Sequence, residues 1–336
     1  MRPISERVRE AVERIRPHVR RTPLVRSDRL SAAAGSDVYL KLENLQLTGS
    51  FKIRGVLNRL LTLPGDERCS GLITASTGNH GLAVAHAAEL LCLRATIVLP
   101  ETADPMKIER LRALGVAVEI HGAECAAAEA WARSLAAFSG KVYVPPYNDL
   151  EVVAGQGTIG PELLEELGSV DALFASVGGG GLIAGVAGFL KEVGGDTYAV
   201  GCLPRNSPVM YHSVKAGRIV ETEILPTLSD STAGGVEPGA ITFDLCRRLV
   251  DDWVLVDEPE ISRAMALVVD EHRQRIEGAA GVAVAGLLRS LDNLGPGGNA
   301  VVVVCGGNID RATFEQAVGP RSQSGREQED GGASDA

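Results

Sequence analysis

Short apolar, β-branched runs alternate with long helix-forming segments over most of this chain, and that alternation restricts the fold more than any other feature. "DVYLKLE" precedes "SFKIRGVLNRLLTL", "GLITAS" precedes "NHGLAVAHAAELL", "RATIVLP" precedes "DPMKIERLRALG", and "AVEIHG" precedes "ECAAAEAWARSLAAFS". Further on, "DALFASV" leads into "GLIAGVAGFLKEV", "TYAVGCL" into "SPVMYHSVKAG", and "NAVVVVC" follows "GAAGVAVAGLLRSL". Strands this short, joined by helices rather than tight turns, predict mainly parallel sheets covered on both faces. The expected class is α/β, in which ligands sit beyond the C-terminal strand ends. "PYNDLEVVAGQGTIGPELLEEL" reads as a hinge and a new helix, so a second lobe begins near Asn148. "PTLSDSTAGGVEPGAITFD" is the longest irregular stretch inside the fold and is expected to line a site.

Charge and cysteine usage exclude several classes of function. The net charge is −10 over 336 residues, which disfavours a nucleic-acid backbone or an anionic membrane as partner. The basic cluster from Arg2 to Arg21 is interleaved with Glu6, Glu10 and Glu13 at helical spacing and reads as a solvated amphipathic helix. Six cysteines are scattered without a CxxC pair, which argues against a zinc site or a disulfide framework and for a reducing compartment. No run approaches the ~18 apolar residues of a membrane span, and no apolar core of signal-peptide type opens the chain. The expected setting is the cytoplasm.

Four segments bear on chemistry. "SVGGGGLIAG" puts four glycines between a strand and an apolar helix, where converging N–H groups and the helix N-terminus suit a phosphate. It is not a P-loop, because no Lys-Ser/Thr follows, and a dinucleotide reading needs an acid at the end of the next strand, where "YAVGCLP" has none. In "LQLTGSFKIRGVLNRL", Lys52 follows Phe51 at a helix start. A lysine there is ordinarily a solvated charge, but beside a separate phosphate cradle it suggests a bond to a phosphorylated aldehyde, pyridoxal phosphate. In "TASTGNHGLAVAHAA", Ser76, Thr77, Gly78, Asn79 and His80 open a helix, either merely capping it or holding a substrate carboxylate. In "VVVVCGGNID", Cys305 at the mouth of a buried strand could be a nucleophile, a redox thiol, a metal ligand or filler.

With "AGQGTI", "EGAAGVAVA" and "CGGN" in the same order and spacing, these segments resemble the fold-type II (tryptophan synthase β-like) pyridoxal phosphate enzymes, in the threonine/serine dehydratase and serine racemase branch. The resemblance covers roughly Arg21 to Val318. It implies two lobes, each with a mainly parallel sheet covered by helices: a large cofactor-binding one of residues 1–68 and 148–318 and a small mobile one of residues 69–147, followed by a disordered tail of residues 319–336. It implies a homodimer. It implies Lys52 as the cofactor-bearing lysine and proton acceptor, Phe51 on one ring face, Asn79 at the ring oxygen, and Gly178, Gly179, Gly180 and Gly181 around the phosphate. Gly235 and Glu277 match cofactor-pocket positions, and Cys305 falls beside the pyridine nitrogen. Ser76, Thr77, Gly78, Asn79 and His80 would form the substrate-carboxylate loop. The implied reaction removes the Cα proton and the β-hydroxyl of a β-hydroxy amino acid such as L-serine or L-threonine and yields a 2-oxo acid and ammonia. Racemisation or β-replacement, including on hydroxyectoine- or 3-hydroxyaspartate-type substrates, is the alternative.

The chain departs from that pattern at four places. Thr77 keeps a hydroxyl where racemases use an opposite-face serine, which suggests some racemase activity. Leu203 and Val209 stand at the two positions where relatives place acidic ligands for Mg²⁺ or Ca²⁺, so no metal is expected. Glu237 adds a carboxylate that either faces the site or is simply solvated. Tyr147 stands near the pocket where phenylalanine or asparagine is common.

Overall fold

The β-branched run Val301–Val304 is fully buried, as its composition predicts, and it lies at the centre of the larger of two sheets. The computed structural model describes residues 2–295 and 297–319. Of the tail expected over residues 319–336, all but Gly319 lies outside the described residues. In chain order the strands are β1 (Leu24–Arg26), β2 (Asp37–Lys41), β3 (Leu72–Ala75), β4 (Ala95–Leu99), β5 (Ala117–Ile120), β6 (Val142–Tyr143), β7 (Ala172–Ser176), β8 (Tyr198–Pro204), β9 (Asp252–Val256) and β10 (Asn299–Val303). They form a six-stranded sheet ordered β1-β2-β10-β7-β8-β9 and a four-stranded sheet ordered β5-β4-β3-β6. All pairings are parallel except β1 with β2 at one edge. Two lobes of mainly parallel sheet are thus present, and residues 72–143 supply the smaller one.

The helices Gly181–Glu192 and Gly278–Arg289 are apolar on nearly every face and lie buried in the large-lobe core, the expected place for helices without a polar side. The amphipathic helix Ile4–Ile15 buries Val8, Ala11 and Ile15, while Arg2 pairs outward with Glu10 at 2.5 Å. The stretch after Asn148 forms two helices, Leu150–Gly157 and Ile159–Leu167, instead of one. Asp149 caps the first by accepting from the N–H groups of Glu151 and Val152 at 2.7 and 3.1 Å. At Gly155 this helix meets the helix Lys52–Thr62 so closely that a Cβ would come within 2.5 Å of the Arg54 carbonyl oxygen.

The helix Lys52–Thr62 crosses the boundary drawn from the sequence. The resemblance places residues up to 68 in the large lobe, yet Ile53, Val56, Leu57 and Leu60 bury themselves in the small-lobe core with Leu72, Ile97 and Leu99. The opposite side of the same helix carries Arg54, fully buried, into a polar network of the large lobe. Arg54 Nε and Nη2 donate to the two carboxylate oxygens of Glu43 at 2.9 and 2.8 Å, and Nη1 reaches Glu162 at 2.6 Å. Lys41, also fully buried, pairs with Glu162 at 2.7 Å and donates to the Thr22 carbonyl at 2.6 Å. Burial of four charges is tolerable only because two cations and two anions satisfy one another. Glu43→Gln removes one anion and leaves Arg54 and Lys41 to share Glu162. Denaturant unfolding should show a loss of roughly 3–5 kcal/mol with little change in slope.

Candidate active site

Three strand ends converge on one cleft between the lobes. β10 delivers Cys305, β7 delivers Ser176 and the glycine run, and β3 is followed by the turn Ser76–Gly78 and the helix Asn79–Leu90. A ladder ties the Lys52 segment to the β10 end: Phe51 N–H donates to the Cys305 carbonyl at 3.1 Å, Ser50 bridges Gly306, and Gly307 N–H donates to Gly49 O at 2.9 Å. That ladder sets Lys52 beside Cys305 although the two are far apart in sequence. The resulting cleft is lined by Phe51, Lys52, Asn79, Tyr147, Glu277 and Cys305 together with Gly178 to Gly181.

The Lys52 amine donates to the Pro146 carbonyl at 3.0 Å and lies 5.3 Å from the centre of the Phe51 ring. Burial lowers its pKa to about 8, against the opposing pull of Cys305 and Glu277. The same desolvation, reinforced by Glu277, pushes the Cys305 thiol up to about 12, so it keeps its proton. Ser176 Oγ donates to Cys305 Sγ at 3.4 Å, and the sulfur lines the cleft. Glu277, also buried, accepts from Asn79 Nδ2 at 2.8 and 3.0 Å and from Asn308 N–H at 3.1 Å. Its pKa is raised by burial in spite of these donors.

The glycine run is shaped to leave room. Gly180 caps the helix Gly181–Glu192 in the left-handed region at φ 84°, a conformation that side chains resist. Gly179 lies under the Tyr147 ring, and a Cβ there would stand 2.2 Å from Tyr147 Cδ1. The first N–H groups of the helix have no intrahelical acceptor and carry the positive end of its dipole.

Other expected site residues lie elsewhere. Gly235 is exposed and borders a separate surface groove with Val236 and Pro238, because the chain turns away at Gly234 with φ 134°. The loop's contribution to the cleft is instead Ser231 and Thr232 of the short turn Asp230–Thr232. His80 points back into the small lobe, where Nε2 meets the Val144 carbonyl at 2.9 Å. Burial, then the nearby Lys52, lowers its pKa to about 3, so it is a neutral structural residue. Ser76, Thr77 and Gly78 are half-buried in the turn after β3 and do not line the cleft, with Ser76 Oγ accepting from Gly78 N–H at 3.2 Å. The carboxylate of Glu237 does not line the cleft but pairs with Arg133 at 2.9 Å and stays partly exposed to solvent. Leu203 and Val209 are buried apolar core residues, and among the described residues no group of three or more His, Cys, Asp or Glu could hold a metal ion.

Gln156, Ser176, Ser231, Thr232 and Asn308 were not singled out from the sequence. Gln156 and Asn308 stand inside the quoted "AGQGTI" and "CGGN" motifs, and the two loop residues inside the irregular stretch expected to line a site. Ser176 opens the quoted motif "SVGGGGLIAG", one residue before the glycines.

A family model described as "Pyridoxal-phosphate dependent enzyme" matches residues 15–306 of the chain. The chain belongs to the pyridoxal-phosphate dependent enzymes. Among its relatives, the L-threonine ammonia-lyase of Thermotoga maritima is 41% identical over 93% of this chain and 77% of that protein. The solved structure of maize serine racemase superposes with a TM-score of 0.87 at 30% identity, covering 94% of this chain and 97% of that one. The processed form of threonine deaminase isoform 2 from Solanum lycopersicum gives 0.87 at 34% identity, covering 94% and 87%.

The residues present fit the family's cofactor. A buried primary amine of lowered pKa stands ready for an aldehyde, a side-chain-free N–H cradle faces the same cleft for a phosphate, and a protonated thiol can meet a ring nitrogen as a weak donor. The rate at which the cofactor-free enzyme takes up pyridoxal phosphate reports the Lys52 amine, because only its neutral form attacks an aldehyde. That rate should climb with pH through about 8 and then level. A climb continuing to the ordinary lysine value of 10.5 would mean that burial has not shifted it.

Proposed function

We propose that this enzyme catalyses β-elimination on a β-hydroxy amino acid, L-threonine or L-serine, to give a 2-oxo acid and ammonia. The observation that carries the reading is the meeting of the Lys52 amine and the Gly178–Gly181 cradle in one cleft, with a protonated thiol beside them. When bound, pyridoxal phosphate supplies the electron sink that stabilises negative charge at the substrate Cα. Lys52 is the group equipped to remove the Cα proton, since its amine is largely neutral only slightly above physiological pH and His80 faces the other way. The thiol of Cys305 does not hold a ring nitrogen protonated as a carboxylate would. That weaker sink suits a reaction in which the leaving group departs as, or soon after, the proton is removed.

The small lobe contributes closure. Asn79 joins it to Glu277 and Ser231, Arg110 donates to Asn308 at 3.2 Å, and Lys107 approaches Asp230 at 3.4 Å. These contacts span the cleft and keep water from the reacting carbon. In this reading the turn Ser76–Gly78 receives the substrate carboxylate from the cleft mouth. The similarity of the chain to L-threonine ammonia-lyases and threonine deaminases supports elimination over racemisation. The homodimer and the cytoplasmic setting belong to the same reading, the latter supported by six free cysteines.

Incubation of the holoenzyme with L-threonine, L-serine and their D-forms separates the alternatives. Equal amounts of 2-oxo acid and ammonia should appear from an L-substrate, and Lys52→Ala should lower the rate at least about a hundredfold. Accumulation of D-amino acid without 2-oxo acid would make the enzyme a racemase.

A further inference from the structure

The stretch "STAGGVEPGAITFD" contains a glutamate that the reaction above leaves unused. The Glu237 carboxylate accepts from Arg133 Nη2 at 2.9 Å, and its backbone N–H donates to Tyr147 Oη at 2.9 Å. Arg133 belongs to the helix Cys125–Ser139 of the small lobe and is held there from two further sides. It donates to Glu129 at 2.8 Å, and its guanidinium lies 4.2 Å from the centre of the Tyr143 ring, whose hydroxyl donates to Glu129 at 3.2 Å. Tyr147 stands at the junction of the lobes, with its ring packed on Gly179 and its Cβ close to Gly181. One run of contacts therefore leads from the small lobe, through a single loop residue, to the aromatic ring that covers the glycine cradle.

We propose that Arg133, Glu237 and Tyr147 form a clasp between the lobes that holds the Tyr147 ring against the glycine cradle, so that release and uptake of the cofactor are governed by this ion pair. The proposal rests on the glycine run being the phosphate cradle of the reading above. Tyr147 lines the cleft, and a ring fixed at its rim obstructs the path of a phosphate leaving the cradle. Glu237 holds that ring by a backbone N–H, and Arg133 holds Glu237 by its carboxylate, so loss of the ion pair frees the loop and with it the ring. Arg133 and Glu237 keep 35% and 25% of their side-chain surface exposed, so salt screens the pair and should speed cofactor release. Arg133 and Glu237 are positioning residues in this scheme, remote from the reacting atoms.

Release is read directly from the decay of the visible absorbance of the holoenzyme on dilution into excess phosphatase, which destroys free pyridoxal phosphate. The wild type, Glu237→Gln, Arg133→Gln and the double variant are compared at low and high salt. Each single variant should release cofactor about two- to five-fold faster than wild type at low salt. The double variant should be no faster than either single one, and the salt acceleration of the wild type should vanish in Glu237→Gln. Release rates equal to wild type, additive effects, or an unchanged salt response in Glu237→Gln would overturn the clasp. A wild-type protein that never develops the visible band overturns the cofactor site itself, before any variant is compared.

Discussion

The site depends on one shared helix. Residues Lys52–Thr62 send an amine into the cleft, a guanidinium into the charged network of the large lobe, and four aliphatic side chains into the core of the small lobe. Lys52 and Arg54 are two residues apart, so whatever fixes the guanidinium also fixes the start of the helix that aims the amine. Gln156 adds a second anchor by accepting the Gly55 N–H at 3.1 Å, and the close approach at Gly155 removes the slack between the two helices. A reactive lysine on a flexible stem is held to a narrow region of the cleft by a backbone that has few ways to move.

Electrostatics follow from the same burial. Desolvation favours the neutral amine of Lys52, the protonated thiol of Cys305 and a raised pKa for Glu277, so the cleft carries less formal charge than its residue types suggest. The hydrogen bonds from Asn79 and Asn308 offset part of the cost of Glu277, and both asparagines also help to close the lobes: Asn308 Nδ2 donates to Asn79 Oδ1 at 2.7 Å. Closure and charge control thus share residues. An anionic phosphate entering such a site meets N–H dipoles at the glycine cradle and no fixed cation in the cradle itself, in contrast to the lysine of a P-loop.

Much of this was legible in the sequence, for reasons that can be named. Buried parallel strands are short and mostly apolar, so β3, β4, β7, β8 and β10 stand out, while β2 and β5 show by the alternation of apolar and polar residues in "DVYLK" and "AVEI". β1 and β6 do not, since three- and two-residue strands leave no periodic signal, and β9 carries mixed polarity because it lies half-buried at the sheet edge. Lys52, the glycine cradle, Asn79, Glu277 and Cys305, which line one cleft, are conspicuous in the sequence because each sits in a motif at a strand or helix end. The failures came where a side chain's direction, rather than its place in the chain, decides its role. His80 follows Asn79 directly, yet the helix turns it into the lobe, and Gly235 is carried away from the cleft by the turn at Gly234. The partner of Glu237 lay 104 residues away in the small lobe, beyond any local pattern.

The central claim is that Lys52, among all the lysines of the chain, is the one that carries the cofactor. Reduction of the reconstituted holoenzyme with borohydride would fix the cofactor to its lysine, and peptide mapping would then locate it. The account predicts one modified peptide, containing Lys52 within "SFKIRG", with stoichiometric loss of the visible absorbance. Labelling at another lysine, or a full visible band in Lys52→Ala, would contradict it.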